Sequence, residues 1–353
     1  MNISERVWGN IGGREIKLFS LENSTGMCIK FSDYGAIVHS VSVPDKNGKA
    51  TEIILGYDSL EDYVNDPFYI GAVVGRYANR IANGKVRITE AEYQLTQNQG
   101  TDHLHGGAEG FGKKIFDTEI IQNNNECGIR FFYHSPDGEE GYPGNLTFWV
   151  TYTLNDDNEW QVSFRAETDK ATIVNFTQHA YFNLKGKAGS SIESHLLKIN
   201  ADSFLPCTKD QLPDGNRQPV LQTPFDFTSP KAIGKDIQVT HEQLKIAAGY
   251  DHSFVINQSR DNPLREAAIL HEPETGISLT VSTTEPSVHL YTGNFLQGDN
   301  NTKRSFGKRS GLCLETQHFP DSPNHPDFPN TVLMPGEIFE STTVFNFSAG
   351  TQA

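Results

Sequence analysis

Residues 145–166, NLTFWVTYTLNDDNEWQVSFRA, decide the fold class because their hydrophobic side chains recur at every second position. The alternating positions are Leu146, Phe148, Val150, Tyr152, Leu154, Trp160, Val162, Phe164 and Ala166. A period of two is typical of a strand with one buried face. The pattern breaks at the polar segment NDDNE and then resumes, which predicts a β-hairpin whose strands are joined by five polar residues.

Short strands of the same kind are predicted on both sides of this hairpin. They fall at 27–31, 37–43, 129–134, 173–176, 277–281, 288–291 and 343–347. Helical signals are few, although Ser59 with Asp62, and Thr240 with Gln243, have the spacing of capping boxes that open short helices. Strands and helices do not alternate, so a parallel sheet is not expected. We predict an all-β fold, a large antiparallel β-sandwich with a few short helices, in which residues 1–353 form a single domain.

The charge and composition exclude several classes of partner. The chain has 353 residues with a formal net charge of −15, and its 36% hydrophobic and 21% charged residues are ordinary for a globular protein. The negative charge argues against nucleic acid, anionic membranes and strongly anionic substrates, and it favours a neutral polar small molecule. Single cysteines at positions 28, 127, 207 and 313 are typical of thiols in a reducing compartment. Because the start has no apolar signal segment, we expect a cytoplasmic location.

Five stretches combine polar side chains with glycines or aromatic residues in a way that a plain core strand does not require. They are GRYANRIANG (75–84), HLHGG (103–107), TQHAYFNL (177–184), GYDHSF (249–254) and LETQHFPDSPNHP (314–326). In and after the last stretch, prolines 320, 323, 326 and 329 recur at every third position, which predicts a stiff polyproline II segment. It is either a rigid surface loop or a wall that fixes the residues just before it, including Glu315. Glycine beside histidine allows a ligand to approach the backbone, and loops carried on a sheet often hold sites. These stretches are therefore the candidate functional segments.

Three histidines in these stretches are candidates for chemistry. His103 and His105 would face the same way on a strand and could bind one metal, but the two following glycines predict a turn. A structural role in that turn is the alternative for His105. His179 lies between a predicted strand and the aromatic pair Tyr181 and Phe182. It is either a core histidine bonded to a carbonyl group or a proton donor in a pocket wall.

Several charged and amide side chains have two possible roles each. Glu315 follows the apolar residues GLCL, where a carboxylate costs free energy unless it is paired or functional. It is either the partner of a buried Arg or Lys, or a general base whose pKa is raised by burial. Arg76 and Arg80 are four positions apart and permit a phosphate site. Asn79 and Asp251 carry no functional claim on their own.

Taken in order, GRYANRIANGKV, HLHGGAEGFGKK, QHAYFNL, GYDHSFV, YTGNFL and LETQHFPDSPNHP resemble the aldose 1-epimerases, the family that includes the galactose mutarotases. The similarity runs from about residue 10 to residue 347. It implies an antiparallel β-sandwich of the supersandwich type, free aldohexoses as substrates, and neither a metal nor a cofactor. Matched motif by motif, the functional positions of the family fall on His105, His179, Glu315, Asn79, Arg80 and Asp251.

The chain departs from the family pattern near these positions. Many relatives carry Asn where Gln178 stands, so the hydrogen bonds around His179 are expected to differ. His289 occupies a position where relatives often carry Gln, and that position resembles one that contacts sugar. We therefore include His289 among the predicted substrate-binding residues. His103 matches nothing fixed in the family, which favours a structural role for it.

The resemblance implies an isomerase that interconverts the α and β anomers of free hexoses such as glucose and galactose. Glu315 would take a proton from the anomeric hydroxyl O1, His179 would deliver one to the ring oxygen O5, and His105 would assist at O5. The C1–O5 bond breaks, the open aldehyde turns about C1–C2, and the ring closes on the other face. The sugar hydroxyls would be held by Asn79, Arg80, Asp251 and His289.

Three other functions remain as alternatives. A carbohydrate-binding module would bind sugar without changing the anomerisation rate, and a hexose-6-phosphate epimerase would use Arg76 and Arg80. A glycosidase with two carboxylates would pair Asp251 with Glu315. The expected partner is a small aldose, with no nucleic acid and no membrane, and the chain is expected to be a monomer or a weak homodimer.

Overall fold

The computed structural model describes residues 1–123, 126–187, 189–259, 262–297 and 306–350. The predicted hairpin is formed by Leu146–Asn155 (β13) and Glu159–Thr168 (β14), with the strands numbered in chain order. Leu154 lies opposite Trp160, so five residues join the paired ends. The alternating hydrophobic side chains of both strands are buried. The hairpin prediction is confirmed.

This hairpin lies in a nine-stranded sheet, which we call the main sheet. Its other strands are Asp117–Gln122 (β11), Glu126–Ser135 (β12), Leu196–Ile199 (β17), Lys231–Ala232 (β20), Arg265–His271 (β22), Ile277–Thr283 (β23) and Phe339–Ala349 (β27). The spatial order is β11-β12-β13-β14-β27-β23-β22-β17-β20. The long C-terminal strand β27 therefore lies in the middle of the sheet, between β14 and β23.

An N-terminal sheet of five strands packs against the main sheet. In chain order, which is also its spatial order, it contains Asn2–Ile11 (β1), Arg14–Glu22 (β2), Cys28–Ser32 (β3), Val38–Pro44 (β4) and Ala50–Glu52 (β5). Phe31 stacks on Tyr152 with 4.4 Å between ring centroids, and Phe19 meets Phe131 edge-on at 6.0 Å. Burial of each such ring contributes about 1.5–3 kcal/mol. These contacts place a hydrophobic core between the two sheets, as in a sandwich.

A third sheet has the order β19-β18-β21-β24-β25 and consists of Gln218–Pro219 (β19), Ser203–Phe204 (β18), Asp251–Val255 (β21), Ser287–Tyr291 (β24) and Cys313–Gln317 (β25). Four two-stranded ladders complete the part of the fold that the structure describes. They pair Arg80–Ile81 (β7) with His103–Leu104 (β10), Val73–Val74 (β6) with Thr177–Gln178 (β16), Lys85–Ile88 (β8) with Ala91–Gln94 (β9), and Thr172–Ile173 (β15) with Val332–Leu333 (β26). The ladders between strands in the described ranges are antiparallel, so the predicted antiparallel all-β fold is confirmed. The single domain stays a prediction.

The strands differ from the prediction at several points, of which two have a clear physical reason. The predicted strand at 173–176 is regular only through Ile173. The Asn175 backbone amide donates to the Arg76 carbonyl, and the Asn175 side-chain amide donates to the carbonyls of Ala78 and His318. The N-terminal strands β1 and β2 were not predicted. Most of β1 is exposed, so it lacks the alternation of buried and exposed positions that marks a strand.

Helices are few and short, as predicted. The first α-helix, Leu60–Val64 (α1), begins at the predicted cap, where Ser59 Oγ accepts from the Asp62 amide at 3.2 Å. The cap predicted at Thr240 is wrong: the second helix, Glu242–Ile246 (α2), is capped by His241, because the side chain of Gln243 bonds the backbone of Cys207 instead. The 3₁₀ helices are Ala82–Gly84, Phe111–Lys113, Glu139–Gly141, Ile233–Lys235 and Ser322–Asn324.

The predicted polyproline II segment is wrong, because residues after Pro320 turn at Asp321 (φ 55°) and enter the 3₁₀ helix Ser322–Asn324. This turn is held by the Asp321 carboxylate, which accepts from the Ala82 amide at 3.0 Å and from the side chain of Asn324. The segment is thus tied to the loop that follows β7.

No helix in the described ranges has the length and apolarity that a membrane crossing requires.

Candidate active site

One face of the third sheet carries two rows of polar side chains. In the register of β21, β24 and β25, His289 lies opposite Ser253 on one side and opposite Glu315 on the other. In the next row Tyr291 lies between Asp251 and Cys313. Residues two positions apart on a strand face the same way, so both rows point to one side of the sheet. The backbone register alone therefore brings Asp251, His289 and Glu315 together.

The ladder of β7 and β10 supplies a second group of side chains. His105 and Asn79 both have a positive φ, of 50° and 66°, and their backbones are joined by a bond from the His105 amide to the Asn79 carbonyl at 3.1 Å. Residue 106 is glycine because a Cβ at this position would lie 1.8 Å from the Gly75 carbonyl oxygen. The glycine of the HLHGG stretch thus allows two loops to meet, and their meeting aims His105.

His179 enters the site from the end of β16. Its amide donates to the Ala72 carbonyl at 2.9 Å, and its carbonyl accepts from the Gly71 amide at 3.0 Å. Gln178, at the position where the chain departs from the family, donates to the Gly71 carbonyl and to the Tyr152 hydroxyl. The larger amide therefore reaches back into the core and supports the backbone that holds His179.

A pocket of about 270 Å³ brings all seven predicted site residues together. Glu315 and His179 face each other with 3.6 Å between Oε1 and Nε2, and both are buried. His105 packs edge-on against His179 with 5.3 Å between ring centroids. The complete set of lining residues is Pro67, Phe68, Tyr69, Asn79, Arg80, Gln99, Leu104, His105, His179, Tyr181, Asp251, His289, Tyr291, Phe295 and Glu315.

Burial acts in opposite directions on the two groups that face each other. It raises the pKa of Glu315 well above its ordinary value, and nearby Asp251 raises it further while Arg80 opposes the shift. Burial lowers the pKa of His179 from 6.5 to about 4. The Oε2 atom of Glu315 has no hydrogen-bond partner among the residues that the structure describes. Burial thus favours one arrangement of the pair, a protonated Glu315 carboxyl that faces a neutral His179 imidazole.

The hydrogen bonds of His105 decide which of its nitrogens carries the proton. The backbone amide of Asn79 donates to Nδ1 at 3.2 Å, so that nitrogen must be the acceptor. Burial, followed by the nearby charges of His179 and Arg80, lowers the pKa of His105 well below its ordinary value, so the ring is neutral. The proton therefore lies on Nε2, and His105 is a hydrogen-bond donor.

Asp251 and His289 form a second buried pair. His289 Nε2 lies 2.6 Å from Asp251 Oδ1, and His289 Nδ1 lies 2.8 Å from Ser253 Oγ. Burial alone would raise the pKa of Asp251, but the hydrogen bond and charge of His289, together with Arg80, bring that pKa below its ordinary value. Asp251 is therefore a carboxylate at neutral pH, able to accept from a hydroxyl group.

Arg80 is oriented by two glutamines that the sequence did not single out. Its Nε donates to Gln99 Oε1 at 2.7 Å, and its Nη2 donates to Gln211 Oε1 at 2.5 Å. Gln211 lies 131 residues away along the chain. The Arg80 side chain is thus fixed at the pocket wall while donors remain for a ligand.

Arg76 does not belong to this site. It is buried and bonds five acceptors through its guanidinium: the Ser135 hydroxyl and the carbonyls of Ser135, Pro136, Pro143 and Gly144. A guanidinium has five N–H donors, so none remains for a phosphate group. The pair of arginines that the phosphate alternative requires is therefore not present in the pocket.

The spacing of His103 and His105 permits a metal site on a strand. The two rings do not converge, because the chain turns at His105 and His103 bonds the Thr96 carbonyl at 2.7 Å and the Tyr142 hydroxyl at 2.5 Å. His103 is structural. A different set, His105 with His179 and Glu315, has potential ligand atoms within 4.8 Å of one another.

The hydrogen bonds of His105 oppose metal binding by His105, His179 and Glu315. Histidine ligands normally donate their second ring N–H to an acceptor, whereas His105 Nδ1 accepts from the Asn79 amide. Its other nitrogen, Nε2, carries the proton and has no lone pair for a metal. The arrangement favours hydrogen-bond donation to a ligand, and the expected absence of a metal stays a prediction.

Aromatic side chains complete the pocket, and most of them were missed. Tyr69, with a φ of 57°, lies 4.7 Å from the His105 ring, and the Tyr181 hydroxyl donates to the Phe68 carbonyl. Phe295 is 48% exposed at the pocket. Of the aromatic pair predicted as the wall, Tyr181 lines the pocket, whereas Phe182 packs into the core against Phe345. Consecutive residues of an extended segment face opposite sides, so the sequence could have predicted that only one of Tyr181 and Phe182 lines the pocket.

Comparison with known proteins places the chain in a family. A family model described as aldose 1-epimerase matches residues 17–346. A galactose mutarotase from Homo sapiens is 40% identical over 351 residues, which cover 98% of this chain and 99% of that protein. An aldose 1-epimerase from Escherichia coli (strain K12) is 38% identical over 340 residues, covering 96% of each.

Solved structures agree with this result. The crystal structure of galactose 1-epimerase from Lactobacillus acidophilus NCFM is 31% identical, covers 99% of both chains, and superposes with a TM-score of 0.88. A homologue from C. elegans superposes with a TM-score of 0.84 at 29% identity. The predicted fold, family and enzyme class are confirmed. The chain belongs to the aldose 1-epimerase family, whose members are carbohydrate epimerases.

Proposed function

We propose that this pocket opens and recloses the pyranose ring of a free hexose such as glucose or galactose, with Glu315 as the base and His179 as the acid. The observation that carries the proposal is the convergence of Glu315, His179 and His105, whose functional atoms lie within 4.8 Å of one another in a sugar-sized pocket. Residues so far apart in sequence meet because β25, the end of β16 and the turn after β10 all reach the same cavity.

The chemistry needs one group that removes a proton and one that delivers a proton. The carboxylate of Glu315 takes the proton from O1–H, the C1–O5 bond breaks, and the imidazolium of His179 gives its proton to O5. The aldehyde then turns about C1–C2, and the same steps in reverse close the ring on the other face. Each positioned acid or base contributes about 10²–10⁴-fold to the rate.

For this mechanism, the proton that Glu315 and His179 share must lie on His179 when the reaction starts. In the protein alone burial favours the neutral forms of both groups, so the proton resides mainly on Glu315. Arg80 opposes that tendency by stabilising the carboxylate. His105, as an Nε2–H donor, is suited to hold O5 and to stabilise the charge that develops there.

The other predicted residues bind the sugar in this proposal. Asp251 accepts from one hydroxyl, while Arg80 and Asn79 supply donors and acceptors to others. The rim is aromatic, with Tyr69, Phe68 and Phe295. Such apolar faces pack against the C–H faces of a pyranose. A neutral sugar suits the single guanidinium of the pocket, since Arg76 is used elsewhere.

Polarimetry on freshly dissolved α-glucose and α-galactose tests this proposal. For Glu315→Gln and His179→Asn we expect kcat to fall about 10²–10⁴-fold, while sugar affinity measured by calorimetry stays within about threefold. Glu285→Gln is the matched control, because Glu285 is a buried glutamate 2.6 Å from His318 outside the pocket. Its kcat should be normal. Near-normal kcat in Glu315→Gln would reject the base assignment.

Polarimetry and an assay for reducing sugar together separate the alternative functions. Sugar binding with no acceleration in the wild type would indicate a binding module, and release of reducing sugar from a glycoside would indicate a glycosidase. Rates over α-glucose, α-galactose, xylose and arabinose would establish the preferred aldose.

Location and assembly complete the proposal. All four cysteines are free, which supports the expected cytoplasmic location. A monomer or weak homodimer is expected, and sedimentation at two concentrations would measure it.

A further inference from the structure

Ser253 is a buried residue that the proposed mechanism does not use. It lies directly across from His289 in the register of β21 and β24, and it is 2% exposed. It is not among the side chains that line the pocket. Its hydroxyl nevertheless bonds His289, whose other nitrogen bonds Asp251. Three side chains thus form a continuous chain that ends at the sugar pocket.

The chemistry of each group gives this chain a direction. The carboxylate of Asp251 can only accept, so Nε2 of His289 must carry a proton at 2.6 Å from Oδ1. If the ring is neutral, Nδ1 is a lone pair and Ser253 donates to it. If the ring is charged, Nδ1–H donates to the serine oxygen. A hydroxyl satisfies both states, which a one-way donor or acceptor would not do.

We propose that Ser253 is a positioning residue for sugar binding: it holds both the orientation and the tautomer of His289, and His289 in turn presents Asp251 Oδ2 to a sugar hydroxyl. This inference rests on the proposed function, because it assigns Asp251 to the substrate. With Ser253 absent, the His289 ring is held at one end only and can rotate or move its proton to Nδ1. Either change breaks the bond to Asp251.

The imidazole at position 289 explains why such a residue is needed here. An imidazole has two nitrogens 2.8 Å and 2.6 Å from their partners, and both must be satisfied when buried. Ser253 therefore acts through His289, and its effect should disappear when His289 is replaced.

Steady-state polarimetry on a double-mutant cycle tests this inference. One hydrogen bond is worth about threefold to tenfold in binding, so Ser253→Ala should raise KM by that factor with kcat within about twofold. In the His289→Gln background the same substitution should change KM by less than about twofold. Equal KM effects in both backgrounds, or no effect in either, would overturn the proposal.

A control and a spectroscopic readout separate positioning from general stability. Ser287→Ala removes another buried hydroxyl on β24, which donates to the Gln317 carbonyl at 2.7 Å, and it should leave KM unchanged. The ¹⁵N imidazole resonances of His289, assigned by their loss in His289→Gln, should shift in Ser253→Ala but not in Ser287→Ala. Unshifted resonances in Ser253→Ala contradict the proposal.

Misfolding of Ser253→Ala and failure of the proposed function can each be distinguished from failure of this inference. If Ser253→Ala does not fold, Ser253→Cys keeps a weak donor and should give a smaller KM increase than a lost bond; an unchanged KM and unshifted His289 resonances would again overturn the inference. If Glu315→Gln keeps normal kcat, the proposed function fails. The His289 resonances would still report whether Ser253 holds that ring.

Discussion

Replacement of Arg76 by lysine should unfold the protein more easily without altering sugar recognition. The Arg76 guanidinium is buried and donates to five acceptors at 2.8–3.1 Å, four of them carbonyls of the segments around Ser135 and Gly144. It also lies 5.7 Å from the centroid of the Tyr142 ring. Arg76 thus ties the GRYANRIANG loop to the end of β12 and to the start of β13.

The magnitude follows from counting donors. A lysine ammonium has three N–H groups, so at least two of the five buried acceptors would lose their partner. Each unsatisfied acceptor costs about 1–3 kcal/mol, which gives a loss of about 2–6 kcal/mol in the free energy of unfolding. That loss is a large share of the about 5–15 kcal/mol that stabilises a typical domain.

Urea unfolding followed by tryptophan fluorescence measures the loss, and polarimetry on the folded fraction measures KM. Ser135→Ala removes only one acceptor of Arg76, so it should cost about 1–2 kcal/mol and serves as a milder companion. Unchanged stability in Arg76→Lys would refute the structural role. A large rise in KM at normal stability would place Arg76 in substrate binding.

Three other predictions concern pH and metals. Because burial lowers the pKa of His179 to about 4, kcat/KM should fall on the acid side only as pH drops through about 4, when the pair with Glu315 takes a second proton. It should fall on the alkaline side at the raised pKa of Glu315, where the shared proton is lost, and an acid limb near pH 6.5 would contradict this. Burial lowers the pKa of His252 and His195 from 6.5 to about 3, so the unfolded chain takes up protons first. The melting temperature should therefore decline as pH falls from about 6.5 towards 3, and a constant value to pH 4 would argue against neutral buried rings. Dialysis against a chelator should leave kcat unchanged, whereas a loss restored by a divalent cation would reveal a metal site.

Much of the fold could be predicted because the period-two pattern directly reflects burial on one face of a strand. The β13–β14 hairpin and strand β27 follow this rule, whereas β24 is buried on both faces. The same period explains the site, since alternate residues of β24 and β25 share a face and bring His289 beside Glu315. The exposed strand β1 has no such signal, and its pairing with β2 is what holds it in the sheet.

Features that depend on long-range contacts could not be predicted from local patterns. Gln211 bonds Arg80 across 131 residues, and Tyr69 enters the pocket through a backbone turn with φ of 57°. The tautomer of His105 depends on one backbone amide, and the role of Arg76 depends on carbonyls that only the folded chain assembles. These features depend on distances between atoms in the folded chain, which a local sequence pattern does not contain.

The most direct test of the central claim is a kinetic cycle on the two groups that face each other across 3.6 Å. Polarimetric kcat would be measured for Glu315→Gln, His179→Asn and the double variant. If the two act as one acid–base unit, each single substitution lowers kcat about 10²–10⁴-fold, and the double variant is slower by no more than about threefold again. Losses that multiply in the double variant would show two independent groups, and wild-type rates in either single variant would contradict the mechanism outright.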